Sequence, residues 1–279
     1  MTEKLRIVLL THGGAEEVLL QLCALDCIEI VGVFVEEAKP PQRSFTEKIK
    51  RSIRYDGYLA TTTKLLRSVA PRKNATQDNN DVLAVLKQIS KDHGIPYLVV
   101  SNYHSTDSMN LLKSVKADLG IVFGTNILKE SVFGIPRLGT INFHNGLVPF
   151  YRGGPPVFWE LFNDEKEVGL TVHWMAAKVD AGDVILQDTV PLSYDFAFGL
   201  DFEKFIANYR SGLRTRYAEL LARAVADIAS GRAARIVQDP NLGKRYRLPT
   251  MREKDEMRRR LSQRRKRVVK SPTVLHASK

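Results

Sequence analysis

Residues 4–36 read KLRIVLLTHGGAEEVLLQLCALDCIEIVGVFVE, and their pattern decides the fold. LRIVLLTHGG is a buried-strand pattern, apolar from Ile7 to Leu10, that ends in a Gly pair. AEEVLLQLCALD carries helical spacing, and IEIVGVFVE is apolar again. Strand, helix and strand in that order is the unit from which parallel sheets are built. The alternation resumes beyond residue 80. DVLAVLKQISKDHG predicts a helix stopped by Gly94, PYLVVS a strand, STDSMNLLKSV a helix with a Ser or Thr cap, and ADLGIVFGT and TINFH two more strands. The expectation is an α/β chain with an open, mostly parallel sheet and helices on both faces. Ligands of such sheets sit at the carboxyl ends of the strands. Three stretches fall there: Gly13–Gly14, Gly124–Thr125 and Asn142–His144.

Working outward, PPVFWELFNDEKEVG reads as a helix and a turn, and LTVHWMAAKVDAGDVILQDTVPL as strand, loop, strand. Residues 201–230 read as one amphipathic helix, ARIVQDPNLGKRYRLPT as a hairpin remnant, and the last segment as a charged, solvated helix with a frayed end. The expected division is a catalytic domain over 1–200, interrupted by a polar insert at about 38–80, and a helical extension over 201–279 with a basic tail. The insert is too polar for its own core and leaves the second strand on the carboxyl side of the sheet. It is expected to cover the acceptor side of the cleft, with Lys or Arg facing an anionic acceptor.

The net charge of +11 is a property of that tail. Residues 243–270 hold 13 Lys or Arg against 3 acids, so the rest of the 279-residue chain is close to neutral. Aromatic residues that could stack on bases are sparse there, Tyr246 excepted, which disfavours contact with RNA. No run approaches the ~20 apolar residues of a membrane helix, and the N-terminus reads as a mature strand rather than a leader. Cys23 and Cys27 read as two buried thiols of a reducing cytoplasm, without a disulfide or a metal site. The oligomeric state is not legible.

INFHNGLVPFYRGGPP, residues 141–156, carries the chemistry. An imidazole and a carboxamide two residues apart at a strand end, His144 and Asn142, can both donate to an oxygen that turns negative during acyl transfer. A carboxylate would keep the imidazole protonated and relay protons, and Asp180 in KVDAGDVI is the nearest candidate. The plain alternatives are a structural His and an ordinary Asp-Gly turn.

Over roughly residues 117–190 the chain resembles the folate-dependent formyltransferase family, which includes glycinamide ribonucleotide, methionyl-tRNA and sugar N-formyltransferases. The resemblance rests on Asn142-x-His144, the loop Leu147-Val148-Pro149-Phe150-Tyr151-Arg152-Gly153, and the turn Val179-Asp180-Ala181-Gly182. It implies a Rossmann-like sheet of the formyltransferase type and 10-formyltetrahydrofolate as donor. It further implies that an amine attacks the formyl carbon, that His144 and Asn142 stabilise the oxyanion, and that Asp180 holds His144 protonated. The folate pocket is implied at Phe123, Gly124, Thr125, Asn126, Ile127 and Leu128, closed by the loop after Asp180 with Asp183. Arg152 and Gly153 belong to the wall on the substrate side. His173 reads either as a family histidine or as a packed strand residue. His12, Gly13 and Gly14 read either as an anion site for a phosphorylated acceptor or as a tight strand-to-helix turn.

The expected activity is formyl transfer to a primary amine of a small molecule, a nucleotide-linked amino sugar first among the candidates. The β-barrel of about 100 residues that follows the core in methionyl-tRNA formyltransferases is not matched here. The alternatives are 10-formyltetrahydrofolate hydrolysis, a methionyl-tRNA formyltransferase-like activity, and a non-catalytic RNA-binding protein on the same fold.

Overall fold

The first strand, β1 (Leu5–Thr11), is buried from Ile7 onward because both of its faces are covered. Ile7 and Leu9 enter one apolar cluster with Val18, Leu19 and Leu22 of helix α1 (Glu16–Cys23). Val8 and Leu10 enter a second cluster on the other face, as the two-residue period of a strand requires. The computed structural model describes residues 3–37, 45–58, 62, 77–239 and 241–270. The further strands are β2 (Ile28–Glu36), β3 (Tyr97–Val100), β4 (Leu119–Phe123), β5 (Thr140–His144), β6 (Tyr151–Gly153), β7 (Glu167–Trp174), β8 (Val184–Pro191) and β9 (Lys244–Tyr246).

Among the described residues seven strands form one sheet in the order β3-β2-β1-β4-β5-β7-β8. Neighbours from β3 to β5 pair in parallel, whereas β5–β7 and β7–β8 are antiparallel. The chain runs outward from β1 to β3 and then returns to the other side of β1 with β4. That reversal opens a crevice at the carboxyl ends of β1 and β4. The mostly parallel α/β expectation therefore holds, with an antiparallel edge.

The helices after α1 are α2 (Phe45–Asp56), α3 (Gln77–Asp92), α4 (Thr106–Ser114), α5 (Glu130–Phe133), α6 (Phe158–Phe162), α7 (Phe202–Gly212), α8 (Arg214–Ala229) and α9 (Met251–Lys270). Ser105 caps α4 as expected, its hydroxyl accepting from the Ser108 amide at 3.2 Å. Residues 201–230 are two helices rather than one, parted at Leu213 (φ −99°, ψ 2°). Tyr217, Leu221 and Val225 of α8 lie in the same cluster as Ile7 and Ile121, so the boundary expected near residue 200 falls inside one continuous core.

The tail differs more. Met257 and Leu261 of α9 are fully buried against Phe158, Trp159 and Phe202, so α9 is a docked helix and not a solvated one. Its polar face pairs largely with itself: Arg258 with Asp255, and Arg259 and Arg260 with Glu256. Nor do the described residues of 234–250 form the expected hairpin remnant. β9 pairs in parallel with β6, and Ile236 separately bridges Val184 at the head of β8.

Of the insert, α2 is described, and Gly57 just beyond it lies against Met251 at the start of α9. The rest of the expected lid, 38–44, 59–61 and 63–76, lies outside the described residues. Both cysteines are free, but Cys27 is exposed in the turn before β2 and Cys23 only half-buried, so the expected pair of buried thiols is corrected. Among the described residues no helix is long and apolar enough to cross a membrane, and no group of His, Cys, Asp or Glu could hold a metal ion.

Candidate active site

Strands β5 and β7 lie side by side with Asn142 opposite His173 and His144 opposite Thr171. Asn142 and His144, two residues apart, share a face of the sheet. The Asn142 Nδ2 is 3.3 Å from His173 Nε2. His173 Nδ1 donates to the Trp174 carbonyl at 2.8 Å, which turns Nε2 toward Asn142.

Asp180 comes from the loop between β7 and β8. Its backbone is left-handed, φ 52°, a conformation that Asp tolerates better than most residues. Three donors hold the turn. The Gly153 amide donates to Asp180 Oδ2 at 2.9 Å, and the Gln238 side-chain amide reaches the carbonyls of Asp180 (3.2 Å) and Gly182 (2.6 Å). A Cβ on Gly182 would overlap the Trp174 carbonyl oxygen, so this turn closes only on glycine. The carboxylate is thereby set between two imidazoles, Oδ2 3.4 Å from His144 Nδ1 and Oδ1 3.6 Å from His173 Nε2.

Burial works to raise the Asp180 pKa, but the neighbouring imidazoles of His173 and His144 and the Gly153 amide outweigh it and hold it at about 2. Asp180 is thus ionised at neutral pH and a poor base; its work is to orient and to offset charge. His144 moves the other way from expectation. Burial pushes its pKa below the ordinary value of 6.5, and the Asp180 carboxylate opposes that shift without overcoming it. The attraction foreseen between Asp180 and His144 is present, and burial of the imidazole works against it.

This has a consequence for stability. A histidine with a depressed folded pKa contributes stability above the unfolded value, 6.5, and loses it as pH falls. Below that pH the unfolded chain takes up the proton first. Urea midpoints measured from pH 8 to 5 should fall toward acid, and His144→Gln should flatten that slope. An unchanged slope would mean that His144 protonates as easily in the folded chain as in the unfolded one.

Thr125, Asn126, Ile127 and Leu128, just beyond β4, line a cavity of about 160 Å³ together with Asn142, His173 and Asp180. Val122, Met175 and Val179 supply apolar wall. Apolar sides with a few convergent polar groups suit one end of a flat, polar-edged ligand, and the volume is below the roughly 300 Å³ at which pockets begin to enclose whole ligands. His144 is not on this wall. It stands behind Asp180, with Nε2 donating to the Tyr151 carbonyl at 2.7 Å. Phe123 packs on Phe143, and Gly124 abuts the Gly13 carbonyl at the neighbouring strand end. Asp183 serves the β7–β8 ladder, its carbonyl accepting from the Trp174 amide at 2.9 Å, and does not line the cavity.

At the end of β1 the geometry is that of the tight turn. The Gly13 amide donates to Thr11 Oγ1 at 3.0 Å, and Gly13 and Gly14 both have positive φ. His12 Nε2 is 2.6 Å from Glu36 Oε2, and the other Glu36 oxygen accepts from the Tyr103 amide. Glu16 and Glu17 occupy the first turn of α1. The Glu36 carboxylate on His12 and the acidic first turn of α1 work against an anion there.

Sequence reasoning left His173 undecided and missed Tyr151, Gln238 and Glu36. The signal for His173 was its place in LTVHWMA, on the strand that leads into the Asp180 loop. Tyr151 and Gly153 act through backbone atoms, and backbone roles leave no mark on residue type.

A family model described as formyl transferase matches residues 35–196. Among curated relatives, the methionyl-tRNA formyltransferase of Azobacteroides pseudotrichonymphae is 34% identical over 160 residues, covering 57% of this chain and 47% of that one. The methionyl-tRNA formyltransferase of Halalkalibacterium halodurans is 31% identical over 202 residues, covering 71% and 59%. The chain thus spans about half the length of the curated relatives it matches. Among solved structures, a sugar N-formyltransferase from Shewanella shares the fold with a TM-score of 0.54 at 15% identity, covering 91% of this chain and 86% of that one. A formyltetrahydrofolate deformylase from Pseudomonas syringae does so with a TM-score of 0.57 at 20% identity, covering 85% and 67%. With the family model matching more than half of its residues, the chain belongs to the formyl transferase family.

Proposed function

We propose that this protein transfers a formyl group from 10-formyltetrahydrofolate to a primary amine of a small-molecule acceptor, a nucleotide-linked amino sugar being the first candidate. The observation that carries the reading is the meeting of Asn142, His173 and Asp180 on one cavity wall with the strand-end loop Thr125–Leu128. The donor, when bound, supplies the formyl carbon. The acceptor nitrogen bonds to that carbon, the carbon's bond to the folate nitrogen breaks, and the amine proton ends on the folate nitrogen.

Asn142 faces the cavity and donates to the formyl oxygen as it becomes negative. The proton that leaves the amine passes to His173, which lines the cavity with Asn142, while His144 stands behind Asp180. Asp180, ionised between them, offsets the charge that either ring gains. A second reading, methionyl-tRNA as acceptor, is favoured by the curated relatives that carry that name.

The test is folate release and formyl mass gain by mass spectrometry, with 10-formyltetrahydrofolate alone, with a panel of amino sugars and amine metabolites, and with methionyl-tRNA. Amine-dependent turnover with a formylated small product is expected. Full-rate folate release without any amine would make the protein a hydrolase, and turnover on methionyl-tRNA alone would select the second reading.

A further inference from the structure

We infer that Arg152 and Arg245 together form an oxyanion site that holds a phosphate group of the acceptor beside the catalytic centre. Parallel pairing of β6 with β9 sets Arg152 opposite Arg245. Like charges directly opposite each other in a sheet repel. Among the described residues neither guanidinium has a carboxylate partner, and the buried Nε of Arg152 has no hydrogen-bond acceptor. The next arginine in the chain differs: Arg247 is held by Glu253 at 3.0 Å.

The pair is fixed relative to the chemistry. On one side of Arg152, the Tyr151 carbonyl accepts from His144; on the other, the Gly153 amide donates to Asp180. The stem of Arg245 lies over Gly153, its Cγ 3.2 Å from where a Cβ would stand. A three-residue strand therefore ties both arginines to the catalytic carboxylate. A phosphate would take bidentate hydrogen bonds from planar guanidinium forks, and the C-terminal segment would supply one of the two. At the strand end His12–Gly14 the imidazole is already held by Glu36, and no guanidinium pair stands there among the described contacts. The assignment of the phosphate to the acceptor rests on the formyl-transfer reading; the oxyanion site does not.

The probe is inorganic pyrophosphate, titrated calorimetrically into the full chain. Saturable binding at one site is expected. Arg245→Ala and Arg152→Lys should each weaken it about tenfold or more, whereas Arg259→Ala, on the self-paired face of α9, should leave it unchanged. Affinity for 5-formyltetrahydrofolate should not change in Arg245→Ala. Arg245 is exposed, so its variant should fold, and a thermal scan confirms it. Absence of saturable binding would overturn the site. So would an equal loss in Arg259→Ala, the mark of diffuse attraction to the basic helix. A loss of folate affinity in Arg245→Ala would give the arginines to the donor's carboxylates and overturn the acceptor assignment. Pyrophosphate binding is read without turnover, so this test and the formyl-transfer assay fail independently.

Discussion

Asp180→Asn should lower the rate of formyl transfer by about 10²- to 10⁴-fold and leave the fold intact. Asn has the same shape, tolerates the left-handed backbone at this position, and can still accept from the Gly153 amide. What it lacks is the charge between His144 and His173. With Asp180 neutral, a proton taken by either imidazole has no counter-charge in a buried site, so the barrier rises while the ground-state contacts of the cavity persist. Steady-state kinetics should show the loss in kcat, with the Michaelis constant for the donor nearly unchanged. Turnover within about threefold of wild type would remove Asp180 from the mechanism.

The second large effect falls on stability and lies far from the chemistry. Leu261→Ala should cost about 2–5 kcal/mol, and Met257→Ala a similar amount, as for other large-to-small changes in packed cores. Both side chains are fully buried against Phe158, Trp159 and Phe202. Their removal would leave space in the cluster that they share with α6. For the same reason, deleting residues 251–279 should destabilise the whole chain rather than remove a dispensable tail. Urea midpoints decide the point. A change of no more than about 0.5 kcal/mol for Leu261→Ala is what a solvated helix would give, and it would show that α9 does not dock in solution.

The candidate site was legible in part. Asn142 and His144 could be paired from sequence because a strand has a two-residue period and the apolar run before them fixed which end they occupy. Asp180 was reachable because an Asp-Ala-Gly-Asp turn after an apolar strand must fold back. The partners that hold these groups were not reachable. Gln238 lies 58 residues from the carbonyl it binds, and Tyr151 and Gly153 act through main-chain atoms that any residue would carry.

The sequence by itself determined the sheet. Stretches such as IVLL (7–10) and IVF (121–123) are apolar throughout, and only a strand covered on both faces can bury them. It also determined that charge gathers at the C-terminus, because that is a matter of counting. Tertiary structure alone decided what the charged segment does. The mean character of MREKDEMRRRLSQRRKR is so polar that two apolar side chains, Met257 and Leu261, do not register as a core face until Phe158 and Phe202 are seen to receive them. It also decided which influence on the His144 pKa is the larger. Spacing placed a carboxylate beside the imidazole, but burial is set by elements distant in sequence, and the desolvation it imposes outweighs the attraction of Asp180.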